Sequence, residues 1–449
     1  MRKWALTVAA VALLAPGAAL PQAKSGDTGI YEQLNLFGEA FERIRHDAVE
    51  PVGDNKLVET AITGMLTSLD PHSEYLTEDA YKAMQNKAPN QGASTGLVAT
   101  SDGGQFKVVS PLDGSSAASA GIKPGDSIFS IDKQPTFDMT LSEVEQKLRG
   151  PAGSEVALVL RRSGTSGPID VKLKRSDDKT QSVASHLEGG DVGYLRIADF
   201  DDTTANAISN AVKDLRQQSG GKMIGLVVDL RNNPGGNFDA AVASADDFID
   251  KGDIAVVKSR KADAKKIAAT PGDIANGQPI VALVNGGTAR EAELMAGAMQ
   301  DNRRAVLLGG KTFGESGIET IIPVPGNGAI RLTTARYQTP SGRTIQGKGL
   351  EPDLTVSPLK LEKVTQADRL READLRGALK NPDAVPPAPN AAPKDPTPPK
   401  QADVTATPPK GDQPTVATED IGTPSDEQLS EAIDVLRGLG LASGRTASR

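Results

Sequence analysis

Residues 223–236 read MIGLVVDLRNNPGG. The run MIGLVVDL (223–230) is apolar at nearly every position rather than at alternate ones. That is the pattern of a strand buried on both faces, as in a parallel sheet covered by helices. The Asn-Asn-Pro-Gly-Gly that follows ends it in a turn. Working outward, IVALVN (280–285) is a second such run, with a helical stretch over 288–301 and the strand-like RAVLLG (304–309) after it. Upstream, Ile208, Ala211, Val212 and Leu215 recur at helical spacing. Strands alternating with helices over 191–357 predict an α/β domain.

The flanks are of other kinds. Residues 29–68 predict helices, with Leu34, Phe37, Phe41 and Ile44 at spacings of three and four, and Ile62, Met65 and Leu66 after a Pro51-Val52-Gly53 break. LDPHSEYL (69–76) reads as a turn on Asp70-Pro71. Over 89–176, FKVVS (106–110) and EVALVL (155–160) read as strands around one helix, LSEVEQKLRG, which Thr140 and Glu143 open as a capping box. This is the pattern of a small β-rich barrel. PDAVPPAPNAAPKDPTPPK (382–400) and TPPKGDQP (407–414) cannot bury enough apolar surface to fold and predict a disordered or polyproline-like linker. Ser425 and Gln428 read as a capping box for a last helix, whose stripe of Leu429, Ile433 and Leu436 needs a partner, either the α/β core or another subunit.

At the other end, Arg2 and Lys3 precede an apolar run (4–15) and the small residues Gly17-Ala18-Ala19. This predicts a secretory signal peptide, cut after Ala19 or Ala23, with a retained membrane anchor as the alternative. The expected division is a signal peptide at 1–23, a helical region at 24–88, the β-rich unit at 89–176, the α/β core at 177–378, the Pro-rich linker at 379–422 and a C-terminal helix and tail at 423–449. The mature chain is expected to be exported, to the periplasm or cell envelope, with no membrane span once the signal is removed.

Composition excludes several classes. The 449 residues include no cysteine, so there is no disulfide framework, thiolate metal site or cysteine nucleophile. Lys and Arg number 50 against 58 Asp and Glu, for a net charge of −8, which argues against a nucleic-acid partner. The three histidines, His46, His72 and His186, are far apart in sequence, so no His-rich metal site is expected. Neither metal nor cofactor is predicted.

SPLDGSSAASAGIKPGDSIFSIDKQP (110–135) resembles the central motif of PDZ domains in processing proteases. Such domains take extended peptides as an added strand and capture the C-terminal carboxylate on backbone N–H groups. The resemblance places the capture loop at Thr95, Gly96, Leu97 and Val98. Val98 stands where the family has a second glycine, which puts the carboxylate grip in question; a barrel that has lost peptide binding is the alternative.

VGYLRIADF (192–200), VVDLRNNPGG (227–236), VNGG (284–287), ELMAGAMQDNRRAVLLGGKTFGES (293–316) and LTTARYQTPSGRTIQGKGLEPD (332–353) follow in order. Together with LDPHSEYL they resemble the carboxy-terminal processing peptidases, or tail-specific proteases, over about residues 29–357 and the final helix. The resemblance implies a crotonase-like α/β peptidase core with an inserted PDZ domain, a helical N-terminal region and a Pro-rich tail ending in a short helix. It also implies protein or peptide C-termini as partners, and assembly as a homo-oligomer or with an active relative.

Active members use a Ser–Lys dyad, in which a buried neutral lysine takes the serine proton. The serine lies in a stretch Gly-Ser/Thr-Ala-Ser-Ala-Ser-Glu, the lysine 25 positions on in Phe-Gly-Lys-Gly, and a glutamine four further. The corresponding stretch here is Gly287-Thr288-Ala289-Arg290-Glu291-Ala292-Glu293. Arg290 takes the serine position, Glu315 the lysine position, with the spacing of 25 kept, and Glu319 the glutamine position. A guanidinium has no nucleophilic oxygen and stays protonated. The family chemistry is therefore predicted to fail. Arg290 and Glu315 are expected to form a charge-assisted pair with Glu319 as second acceptor; the alternative is that both point to solvent. The family's oxyanion hole maps to the backbone N–H groups of Gly235 or Gly236 and of Glu291, unless the turn persists for geometry alone. A displaced dyad of Thr288 with Lys311 is the active alternative, with Ser316 as another hydroxyl nearby; a structural envelope protein without peptide affinity is the third reading.

Overall fold

The computed structural model describes residues 27–85, 92–102, 105–137, 139–177, 181–357, 421–423 and 425–442. The expected signal peptide and nearly all of the expected Pro-rich linker lie outside these residues.

The two long apolar runs form adjacent central strands. Gly225–Asp229 and Ile280–Val284 pair in parallel, with Leu226 opposite Ile280. Val192–Ile197 and Ala305–Gly309 extend the sheet in parallel on either side, and Leu354–Thr355 and the antiparallel Val183–Glu188 close its edges. Side chains on successive positions point to opposite faces, so a continuous apolar run feeds two cores. Leu226, Val228, Ala282 and Val284 join the larger core, with residues such as Ile208, Val212, Ala241 and Met295 from three helices, Thr204–Gln218, Phe238–Asp246 and Glu291–Asp301. Val227, Val281 and Leu283 face the other way and pack on Leu429, Ala432 and Leu436 of the terminal helix Glu427–Ala442. Of the two partners open to that helix, it takes the core.

The terminal helix begins differently from expectation. Asp426, not Ser425, accepts the Leu429 N–H at 3.1 Å, and its carboxylate also holds the fully buried Arg231. Gln428 donates to Val356 O and accepts from Arg231 at 3.1 Å, so it is committed to the core rather than to a capping box. Buried Arg231 needs this anion, because Asp229 alone leaves part of its guanidinium unpaired.

A second sheet joins Glu74–Leu76, Ala329–Gln338, Asp253–Ser259 and Lys265–Ala268, with Gly317–Pro323 also on Ala329–Gln338. The PDZ-like unit is a sheet in the order Leu97–Asp102, Gln105–Pro111, Ser127–Ile131, Glu155–Arg161 and Ile169–Lys174, around one apolar core. Its helix Leu141–Leu148 carries the predicted capping box. The N-terminal helices Asp27–Asp47 and Asp54–Thr67 are formed as expected, and the residues up to Met65 make a separate compact unit. Within that unit Leu34, Phe37 and Ile44 are exposed.

Candidate active site

The Pro-Gly-Gly turn is built by asparagines. Asn233 Oδ1 accepts the Gly235 N–H at 2.8 Å, while its amide donates to Ile197 O at 3.0 Å. Asn232 takes a positive φ of 53°, and its N–H donates to Asn285 Oδ1 at 2.9 Å. Asn285 also accepts the Gly287 N–H, so one side chain ties the 232–236 turn to the 285–290 turn. The PDZ-like unit rests on the same place, with Ser110 Oγ donating to Asn232 O at 2.6 Å and Asp113 pairing with Arg196 at 2.7 Å.

Arg290 opens the helix Glu291–Asp301 with φ 50° and ψ −122°, a backbone that side-chain-bearing residues rarely adopt. Tyr337 OH lies against the carbonyls of both Arg290 and Glu315, at 2.9 Å from the latter, and so fixes the two turns together. The guanidinium reaches Glu315, Nε to Oε1 3.1 Å, and Glu319, Nη2 to Oε1 3.0 Å. The three side chains therefore meet, as expected, rather than pointing to solvent, but among the described residues the Arg290 guanidinium hydrogen-bonds only to Glu319, and its contact with Glu315 is an ion pair without a hydrogen bond. Glu315 is only 4% exposed and Arg290 34%. Burial works against the Arg290 charge, but Glu315, Glu291 and Glu319 outweigh it and hold the guanidinium above its ordinary pKa. It is a permanent cation.

Two residues enter that the sequence reading had not placed there. His72, from the Asp70-Pro71 turn, brings Nε2 to 3.3 Å from Glu315 Oε1. Asp70 sets that turn by accepting the His72 and Ser73 N–H groups at 2.9 and 2.8 Å. The other is Glu291, for which the family resemblance implies only a backbone role. Its carboxylate accepts the Gly236 N–H at 2.9 Å and its own N–H as well. Gly235, at φ 100°, leaves room for it: a Cβ there would lie 2.4 Å from Glu291 Oε2. The Gly235 N–H is consumed in the turn, so of the two glycines only Gly236 points its donor here. Burial raises the Glu291 pKa, opposed by Arg290 and these N–H groups. The Gly236 and Glu291 N–H groups, to which the family resemblance assigns the oxyanion, thus meet a carboxylate of the chain itself. One signal was available: the family stretch has alanine after the nucleophile.

Behind the site, Glu293 is fully buried and accepts the N–H groups of Gly314 and Glu315, both at 2.8 Å, and the Thr312 hydroxyl. It holds the 312–315 loop, and burial pushes its carboxyl up to about 8. The candidates for a displaced dyad are engaged elsewhere. Thr288 Oγ1 donates to Leu230 O at 2.8 Å and accepts the Asn285 N–H, while Lys311 pairs with Glu351 at 2.7 Å. Ser316 is buried against Gln346.

A cavity of about 60 Å³ holds the cluster. His72, Pro234, Arg290, Glu315, Glu319 and Arg331 line it from the core, and Val98, Ala99, Thr100 and Leu141 from the PDZ-like unit. Of the expected capture loop, Val98 lines this cavity. Gly96 has φ 74°, and a Cβ there would strike Ser115 at 2.1 Å, so glycine is required. Val98 is accommodated in the strand Leu97–Asp102, opposite Ser110.

A parallel-sheet core carrying a PDZ-like unit, with the Pro-Gly-Gly turn facing a strained helix start, defines the architecture of a PDZ-containing serine peptidase. Comparison with known proteins identifies which. The pattern of Peptidase family S41 matches residues 191–356, that of the PDZ domain 107–162, and that of the activating protease CtpB N-terminal domain 13–80. The chain is 42% identical over 359 residues to a carboxy-terminal-processing protease of Bartonella bacilliformis, covering 79% of this chain and 82% of that one. It is 33% identical to the carboxy-terminal processing protease CtpA of Bacillus subtilis, covering 74% and 70% respectively. Among solved structures, the photosystem II D1 C-terminal processing protease matches with a TM-score of 0.63 and 30% identity, over 72% of this chain and 93% of that one. The chain belongs to the carboxy-terminal processing protease family, S41.

Proposed function

We propose that this protein is an S41 family member without peptidase activity, exported to the cell envelope, that binds protein C-termini through its PDZ domain as a scaffold, adaptor or decoy. The observation that carries the reading is the Arg290–Glu315–Glu319 cluster, at the positions the family resemblance gives to Ser, Lys and Gln. Hydrolysis needs a hydroxyl and a base that can accept its proton. This cluster offers a cation without a lone pair to share and two carboxylates bound to it. The Glu291 carboxylate over the Gly236 N–H supports the same conclusion, because a tetrahedral oxyanion needs that donor. The engagement of Thr288 and Lys311 counts against a displaced dyad.

Peptide binding is supported by the PDZ fold itself. Among the described residues, strand Leu97–Asp102 has a sheet neighbour on one side only, so an edge remains for strand addition. The domain bounds expected from the sequence, and assembly with a second copy or an active relative, belong to this reading. Export belongs to the same reading; among the described residues no helix is long and apolar enough to cross a membrane.

The test uses mature protein and an unstructured substrate ending in apolar residues. The reading expects no cleavage, together with saturable binding of the C-terminal peptide that weakens at least about tenfold in Val98→Asp, since a carboxylate there repels the ligand's own. Cleavage that disappears in Thr288→Ala would overturn it. Absence of peptide binding would favour a structural envelope protein instead.

A further inference from the structure

We propose that His72, Glu315 and Glu319 form a zinc-type divalent-cation site, in which the Arg290 guanidinium acts as an exchangeable internal cation. Three observations carry it. The ligand atoms of these residues all lie within 4.8 Å of one another, in a pocket lined by all three. His72 Nε2 and Glu315 Oε1 are 3.3 Å apart. Two ligands on a tetrahedral zinc, at bond lengths of about 2.0–2.1 Å, are separated by about 3.3 Å, so this edge already has the required length. Lastly, Glu315 is almost wholly buried, yet its Oε1 has no hydrogen-bond partner among the described residues. The facing Arg290 Nε, 3.1 Å away, likewise makes no hydrogen bond among the described residues. Charge attracts the two groups, but their angles waste the donor and the acceptor.

The donor chemistry selects the metal class. One imidazole and two carboxylates suit zinc better than magnesium or calcium, which favour all-oxygen shells. Three protein ligands leave a fourth position for water. The charge also balances, since two carboxylates neutralise a divalent ion. Arg290 is the most exposed member of the cluster, 34% exposed, so its guanidinium has a way out toward solvent. Displacing it weakens metal affinity, because the metal must break two ion pairs to enter. The proposal depends on the observed cluster and is independent of whether the PDZ domain binds peptides.

The experiment titrates untagged, chelator-treated full-length mature protein with Zn²⁺ by calorimetry, and with Co²⁺ by visible absorption, which reports tetrahedral coordination. The expected result is one site in the wild type, at least about tenfold tighter in Arg290→Ala. Adding His72→Ala to Arg290→Ala should weaken binding at least about tenfold and abolish the tetrahedral Co²⁺ band, and Glu319→Gln should weaken it likewise. Circular dichroism establishes that each variant is folded. His46→Ala and His186→Ala, whose imidazoles stand beside Asp47 and Glu188, should change nothing. No binding by wild type, affinity unmoved by Arg290→Ala, or affinity unmoved by His72→Ala each overturns the proposal.

Discussion

If Arg290, Glu315 and Glu319 stand at the family's Ser, Lys and Gln positions, as proposed above, reversing all three is the obvious test, and the structure predicts that it falls short. Arg290→Ser, Glu315→Lys and Glu319→Gln restore the side chains of the family pattern, but Glu291 remains. Its carboxylate accepts the Gly236 N–H at 2.9 Å and its own N–H, the two donors available to an oxyanion. Removing Arg290 also removes the cation that favours the ionised form of Glu291. Loss of one oxyanion-hole donor costs about 10²–10³ in kcat, or about 3–4 kcal/mol. Here both donors are occupied by a carboxyl oxygen, which accepts hydrogen bonds whether or not the group is ionised, so a loss of about 10² is expected. The quadruple variant with Glu291→Ala should therefore cleave an unstructured substrate with an apolar C-terminus about 100-fold faster than the triple variant. A fluorophosphonate should label Ser at position 290 to a matching extent. Equal activity in the triple and quadruple variants would refute the view of Glu291 as an occupant of the hole.

Other consequences follow from the same geometry. Arg290→Ala strips the compensating charge from nearly buried Glu315; allowing for partial exposure of the arginine, the loss should be about 1–3 kcal/mol, read from urea midpoints, with an Arg290–Glu315 double-mutant cycle giving coupling above about 1 kcal/mol. Gly236→Ala should be more severe, because φ is 145° and a Cβ would lie 2.1 Å from Phe200 O, a backbone atom that cannot step aside; failure to lower the thermal midpoint would show that the turn can relax. Glu293 gives a pH signature. Its folded pKa of about 8 exceeds the unfolded value, so the native state keeps a proton that the unfolded chain releases. The stability it contributes is complete below about pH 4.3 and declines as pH rises to about 8, by up to about 1.4 kcal/mol per unit. Glu293→Gln should flatten that slope in urea unfolding at pH 5.5, 7 and 8.5.

The α/β class, the order of elements and the small β-rich unit were legible in the sequence because each rests on local pattern. MIGLVVDL and IVALVN lack alternation because both faces of their strands are buried, and Thr140 with Glu143 caps its helix from within four residues. Arg290, Glu315 and Glu319 are singled out by the resemblance of long motifs, and the structure brings the three side chains together. The terminal helix was misread at its first turn because Arg231, remote in sequence, claims both Asp426 and Gln428. Asp426 then serves as anion and cap together.

What the chain order alone determined is chemical identity: no hydroxyl at 290, no amine at 315, no thiol anywhere. Tertiary structure decided which charges meet. His72 reaches Glu315 only because the 70–76 turn pairs through Glu74–Leu76 with the strand Ala329–Gln338, bringing together residues 243 positions apart. Glu291 occupies the Gly236 N–H only because Asn233 and Asn285 hold two distant turns face to face. Such contacts depend on side-chain direction across a folded interior, and no linear period encodes that direction.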